Sequence, residues 1–141
     1  MTVVIIGAGH AGVQAAESLR REGYAGPITM LDRGANLPYQ RPPLSKEYMK
    51  EGGDPAPMPL RGADFYGEYD IELRLGAEVV RIDSESSRVF TKEGEAFSYD
   101  QLVIAAGAEA RSAQCAGSGL EGINYLRTVE DAEALRAQLE R

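Results

Sequence analysis

Close to its start the chain runs Thr2-Val3-Val4-Ile5-Ile6 straight into Gly7-Ala8-Gly9-His10-Ala11-Gly12, and Asp32 stands twenty residues beyond the last of those glycines. An apolar run broken by Gly-x-Gly-x-x-Gly, with a helical pattern beginning at once, constrains the fold more than any other feature. The first glycine permits a tight turn out of a strand, the second a close approach of backbone to phosphate, and the third close packing of helix on strand. Free N–H groups at the helix start then face an anion. Asp32 closes the second apolar run, Ile28-Thr29-Met30-Leu31, where a carboxylate can accept hydrogen bonds from a ribose. Such spacing also arises by chance in a chain with 16 glycines, and the bland alternative is a plain strand–turn–helix. Strand, helix, βαβ spacing and acid agree here, so the reading is dinucleotide binding; the motif does not choose between NAD, NADP and FAD.

The rest of the chain extends the same α/β pattern. A first helix is expected from Ala11 to about Arg21, with Ala11, Ala15 and Leu19, and Gly12 and Ala16 beside them, on its sheet-facing side, ended by Gly23. Residues 34–62 hold six of the seven prolines, with a short helix after Pro42-Pro43 that puts Leu44 and Tyr48 on one face, and a loop over 51–57. A short helix around Ala63 to Tyr69 precedes the alternating strand Ile71, Leu73, Leu75. Three short strands, Glu78 to Ile82, Arg88 to Thr91 and Ala96 to Tyr99, read as an antiparallel meander. Gln101 to Ala105 reads as a buried parallel strand running into Ala106-Gly107. A final helix opens on Thr128-Val129-Glu130-Asp131, a capping-box variant, with Ala132, Leu135 and Leu139 facing one way. The chain stops inside that helix, which suggests a fragment.

Composition narrows the partners. A 43% hydrophobic and 26% charged chain of 141 residues suits one soluble domain with a real core. A net charge of −7 argues against nucleic acid, which needs a concentrated basic face. No apolar run is long enough to span a bilayer, and no basic leader precedes Val3, so a cytoplasmic protein is expected. His10 is the one histidine and Cys115 the one cysteine. Neither has partners for a metal site, so no metal is expected; His10 reads as a loop residue near phosphate, Cys115 as an ordinary thiol.

Arg41-Pro42-Pro43-Leu44-Ser45-Lys46 is the second informative segment. Two prolines stiffen it, Arg41 offers a forked donor suited to phosphate oxygens, and Lys46 a compact charge. The alternative is a surface loop with solvated charges. Together with the glycine segment, Leu37-Pro38-Tyr39-Gln40-Arg41-Pro42-Pro43-Leu44-Ser45-Lys46, Tyr99 to Gly107 and Tyr125-Leu126-Arg127-Thr128, it occurs in the order found in a known family. The chain resembles the N-terminal FAD-binding part of the ferredoxin reductases of bacterial oxygenase systems, the putidaredoxin and rhodocoxin reductase group. These lie within the pyridine-nucleotide flavoprotein reductases of two-Rossmann, glutathione reductase-like fold.

That resemblance implies a three-layer Rossmann-like FAD/NAD(P)-binding fold, with a parallel sheet and an antiparallel meander on one face, residues 1–141 forming the first segment of the FAD-binding domain. It implies that Gly7, Gly9, His10, Ala11 and Gly12 lie at the FAD pyrophosphate, and Asp32 or Arg33 at the adenosine ribose. Arg41 would reach the pyrophosphate, and Lys46, the one residue cast in a catalytic role, would sit beside the isoalloxazine ring. Val79 matches a position whose backbone meets the adenine; Ala106 and Gly107 fall where the chain passes the cofactor; Arg127 matches a further FAD-contacting arginine. Two departures stand out. Ala105-Ala106-Gly107 replaces the usual Ala-Thr-Gly, and Glu109-Ala110-Arg111 follows where Arg-Pro is frequent.

Disulfide reductases of this fold carry a Cys-x4-Cys pair beside the flavin; with Cys115 alone, no dithiol can relay electrons. The family points instead to an external [2Fe–2S] ferredoxin. A second Gly-x-Gly-x-x-Gly, Gly117-Ser118-Gly119-Leu120-Glu121-Gly122, follows no apolar strand run and so marks no second dinucleotide-binding unit; the chain by itself should bind FAD weakly or not at all and should not turn over NAD(P)H. The family's missing strand would leave a sheet edge unpaired, open to self-association. The rival reading is a non-catalytic dinucleotide-binding or interaction module on a degenerate flavoprotein fold. An NAD-dependent dehydrogenase without flavin would need a substrate domain for which the chain has no room.

Overall fold

Alternation along two short apolar strands decides the layering. In the computed structural model, which describes residues 1–50 and 57–139, β1 (Val3–Ile6) and β2 (Ile28–Asp32) lie parallel, Val3 opposite Ile28. Successive side chains of a strand point to opposite faces. Val3 and Ile5 accordingly join Val13 and Ala16 of α1 (His10–Arg21) in one buried cluster, with Ile28 and Met30 beside them. Val4 and Leu31 face the other way, into a second cluster with Ala77 and Val89.

The remaining elements complete those two faces. α2 (Ala63–Glu68) contributes Tyr66 to the first cluster, and β3 (Ile71–Leu75) pairs parallel with β2. β4 (Val79–Asp83), β5 (Arg88–Thr91) and β6 (Ala96–Ser98) form a separate antiparallel sheet, and β7 (Gln101–Ile104) pairs parallel with β1. The parallel sheet has the order β3-β2-β1-β7. Helices, parallel sheet and meander are therefore the three layers of the expected α/β fold. They belong to one compact unit, Met1–Tyr39 with Pro59–Gly107; a second comprises Gln40–Met58 with Ala108–Arg141.

Local details correct the sequence reading at four points. The buried side of α1 is Gly12, Val13 and Ala16, while Ala11 is exposed. Gly12 and Ala16 are buried as expected and Ala15 and Leu19 pack against the core, so the correction is confined to Ala11, which lies in the first turn beside the open helix start. β7 is parallel as expected, yet it lies at the edge of the described sheet, with Leu102 and Val103 half-buried and Ile104 66% exposed. Its apolar run signals pairing with β1 more than burial on both faces. The helix expected after Pro42-Pro43 is two 3₁₀ turns, Pro42–Ser45 and Glu47–Met49, broken where Lys46 leaves helical geometry at φ −130°, ψ −102°. Leu44 and Tyr48 are both buried all the same. Leu139 is 72% exposed, leaving Val129 and Ala132 as the buried residues of the last helix, α3 (Val129–Leu139). Of the loop expected over 51–57, residues 51–56 lie outside the described residues.

The end of α1 and the start of α3 follow the sequence signals closely. Gly23 takes φ +86°, its N–H reaching Arg20 O at 3.0 Å while Tyr24 N–H reaches Leu19 O at 2.9 Å, the paired bonds of a Schellman stop. At α3 the Thr128 N–H donates to Asp131 Oδ2 at 2.8 Å and the Asp131 N–H donates to Thr128 Oγ1 at 3.3 Å, a reciprocal capping box. The Arg127 N–H adds a third bond to the same carboxylate oxygen at 2.9 Å.

Backbone donation from Thr128, with smaller help from Arg127, holds the Asp131 carboxyl below its ordinary pKa. A lowered folded-state pKa means that the ionised group stabilises the fold fully above the unfolded value, about 3.9, and loses that contribution as pH falls through the folded value. Asp131→Ala should therefore cost about 1 kcal/mol of α3 stability near neutrality. The gap from wild type should narrow between neutral pH and an acidic pH below the folded value. Hydrogen exchange of the α3 amides at both pH values measures it.

Candidate phosphate-binding loop

The turn leaving β1 is fixed from both neighbouring strands. The Gly7 N–H donates to Leu31 O at 2.7 Å, and the Ala105 N–H donates to Ile6 O at 2.7 Å. Gly7 adopts φ +96°, and a Cβ there would run into the carbonyl oxygen of Ala105 and lie 2.9 Å from Ala106 Cα. Gly12 is equally committed, since a Cβ on it would strike the carbonyl oxygen of Gly7. Both glycines are thus required by the fold itself. Gly9 differs. Its φ of −72° and ψ of −173° suit any residue, and a Cβ there would meet nothing within 4 Å. Protein packing gives no reason for a glycine at that position.

Gly9 is also the N-cap of α1, where no side chain caps the helix and no acid lies in the first turn. The Val13 N–H closes the first helical bond, onto Gly9 O at 3.0 Å. The N–H groups preceding it have no carbonyl partner within the helix, and no acid of the helix's own first turn offsets the partial positive charge of its end. His10 and Ala11, both exposed, flank this opening. An open cradle lined by backbone donors at a helix start has the donor chemistry a pyrophosphate requires.

Asp32 stands at the end of β2, and its carboxylate is engaged at both oxygens. Oδ2 accepts from the Ala8 N–H at 2.6 Å, Oδ1 from the Gly34 N–H at 2.8 Å. Ala8 and Gly34, the backbone partners of this carboxylate, are given no role in the sequence reading. A signal existed for the second, because Asp-x-Gly is the pattern of an Asx turn. Arg33 next to it is exposed.

The other expected site residues divide between the two units. In the first, Val79 opens β4 half-buried against the Val4, Leu31, Ala77 and Val89 cluster. Ala106 and Gly107 are exposed directly after β7, with Ala106 passing beside Gly7 and Gly107 at φ +73°. Gly7, Gly9, Gly12, Asp32 and Ala106 are therefore brought into one neighbourhood. In the second unit, Arg41 precedes the first 3₁₀ turn and Lys46 is exposed between the two turns. Arg127 donates from Nε to Ala108 O at 3.1 Å, which fixes its side chain to the segment following Gly107. Cys115 is an exposed free thiol. Among the described residues, no group of three or more His, Cys, Asp or Glu could hold a metal, and no helix is long and apolar enough to cross a membrane.

The model of the pyridine nucleotide-disulphide oxidoreductase family matches residues 1–141. A rubredoxin-NAD(+) reductase of Pseudomonas putida is 45% identical over 139 residues, covering 99% of this chain and 36% of the relative. A rhodocoxin reductase of Rhodococcus erythropolis is 42% identical, over 99% of this chain and 33% of its own length. Among solved structures, a ferredoxin reductase from Rhodopseudomonas palustris superposes with a TM-score of 0.90 at 42% identity, covering 99% of this chain and 34% of that one. The chain thus spans about a third of the length of the proteins it matches.

Proposed function

The chain belongs to the pyridine nucleotide-disulphide oxidoreductase family, and on that premise we propose that it forms the pyrophosphate and adenosine side of an FAD site. The site would serve a reductase that takes electrons from NAD(P)H and passes them to a small iron–sulphur or rubredoxin-type protein. The observation that carries this reading is the Gly9 position, open on its ligand side at the uncapped start of α1.

In this reading the backbone from Gly7 to Gly12 binds the diphosphate, and Asp32 with the Arg33 backbone meets the ribose. Val79 passes the adenine, while Ala106 and Gly107 border the cofactor on the β7 side. Arg41 supplies a cationic donor to the pyrophosphate, Arg127 is a further contact to FAD, and Lys46 places a positive charge at the isoalloxazine ring. A bound flavin accepts an electron pair from a nicotinamide and releases electrons singly. The lysine's part is electrostatic, since a fixed cation favours the electron-rich reduced ring. A single cysteine leaves no internal dithiol to take the electrons, which supports direct delivery to an external acceptor.

Calorimetric titration tests the site. ADP and FAD should bind, FAD weakly because the chain holds only part of the site, and compete with each other, while FMN, which lacks the adenosine diphosphate half, should not displace ADP. NADH added to the FAD complex of this chain should leave the flavin's visible absorption unbleached. Binding of FMN in preference to ADP would overturn the reading.

A further inference from the structure

Resting on the dinucleotide reading above, we propose that Asp32 is a positioning residue for the phosphate loop, and not solely a ribose contact. Its carboxylate joins two segments far apart in sequence: Ala8 inside the glycine loop, through Oδ2 at 2.6 Å, and Gly34 beyond β2, through Oδ1 at 2.8 Å. Ala8 is 2% exposed, so its N–H points into protein and not toward a ligand. Without the carboxylate, that buried donor would lose its acceptor, which folded proteins rarely tolerate. The loop would have to turn to find another.

The strut stands on a fixed base. The Ala77 N–H donates to the Asp32 carbonyl at 2.8 Å, and the Gly76 N–H donates to the Gly34 carbonyl at 2.9 Å, so the backbone on both sides of Arg33 is tied to the β3–β4 connection. Space around the carboxylate is limited as well: a Cβ on Gly34 would lie 3.0 Å from Oδ1. Electrostatics supports the same conclusion. A carboxylate beside a pyrophosphate site repels the ligand, and two backbone N–H dipoles on the acid offset that charge. A carboxylate has about four lone-pair sites. Two are used here, so ribose hydroxyls can be met as well. Asparagine cannot replace it, because its amide nitrogen would confront one of the two N–H groups.

The discriminating ligand is 2′,3′-dideoxy-ADP, which keeps the diphosphate and lacks the hydroxyls. On the 141-residue chain, Asp32→Asn should weaken dideoxy-ADP at least tenfold and ADP further still. In the unsubstituted, ligand-free chain, NMR should detect through-hydrogen-bond coupling between the Ala8 amide nitrogen and Asp32 Cγ, a readout that needs no variant to fold. Loss of ADP affinity with dideoxy-ADP unchanged would mean that Asp32 acts only on the ribose, and the proposal fails. Absence of the coupling overturns it independently. If the unsubstituted chain binds neither nucleotide while the coupling is present, the dinucleotide reading is what has failed, and the functional part of this inference falls with it.

Discussion

Gly9→Ala should leave the chain folded and cost it most of its affinity for ADP and FAD, on the order of a hundredfold. The two halves of that result have separate causes. At φ −72° and ψ −173° alanine is unstrained, and the added methyl group meets no atom within 4 Å. Alanine is a poorer N-cap than glycine, while restricting the unfolded chain favours the variant by roughly 0.4–1 kcal/mol. These effects oppose each other, so stability should stay within about 1 kcal/mol of wild type. Binding has no such compensation. The methyl group would occupy the space through which phosphate oxygens approach the helix start. Losing one or two hydrogen bonds to a charged group, each about 1.5–3 kcal/mol, accounts for a factor near a hundred. Urea unfolding and calorimetry on the same sample measure both halves. A variant that binds ADP as well as wild type would remove the observation on which the functional reading rests.

How much of this was legible beforehand depends on whether the signal was local. The glycine spacing, the Gly23 stop and the Thr128–Asp131 box each depend on residues close together in sequence, and all three appear as read. The meander's turns and the parallel βαβ unit of β1, α1 and β2 were legible for the same reason. What failed depended on neighbours distant in sequence. Ile104 belongs to an apolar run indistinguishable from a buried strand, and only its place at the edge of the described sheet exposes it. Ala11 fits the period of the α1 face yet is exposed, because no distant element covers the first turn on that side, while Gly12, Ala15, Ala16 and Leu19 meet the core as read. Asp32 is intermediate. Its position marked it as a ligand contact, but the bond to Ala8 joins residues 24 apart in sequence and had no local trace.

Gly7→Ala and Gly12→Ala should fail in the opposite way to Gly9→Ala, through lost stability of the folded chain. At Gly7 two penalties combine. Left-handed backbone at φ +96° costs a β-carbon-bearing residue about 1–3 kcal/mol, and overpacking against the Ala105 carbonyl adds about 1–3 kcal/mol more. Relaxation is blocked, because the Gly7 N–H to Leu31 O and Ala105 N–H to Ile6 O bonds hold the turn between β2 and β7. The expected loss of about 3–5 kcal/mol is a large part of the 5–15 kcal/mol typical of a whole domain. Gly12→Ala keeps ordinary helical backbone but drives its methyl group into the Gly7 carbonyl oxygen, for about 2–3 kcal/mol. The double variant should lose less than the sum of the two. Once Gly7→Ala has displaced the turn, the carbonyl that Gly12→Ala strikes has already moved, and residues in direct contact couple by about 0.5–3 kcal/mol. Urea unfolding of the two single variants and the double variant closes that cycle. Strict additivity would mean that the turn and the helix start are energetically independent, contrary to the contact between them.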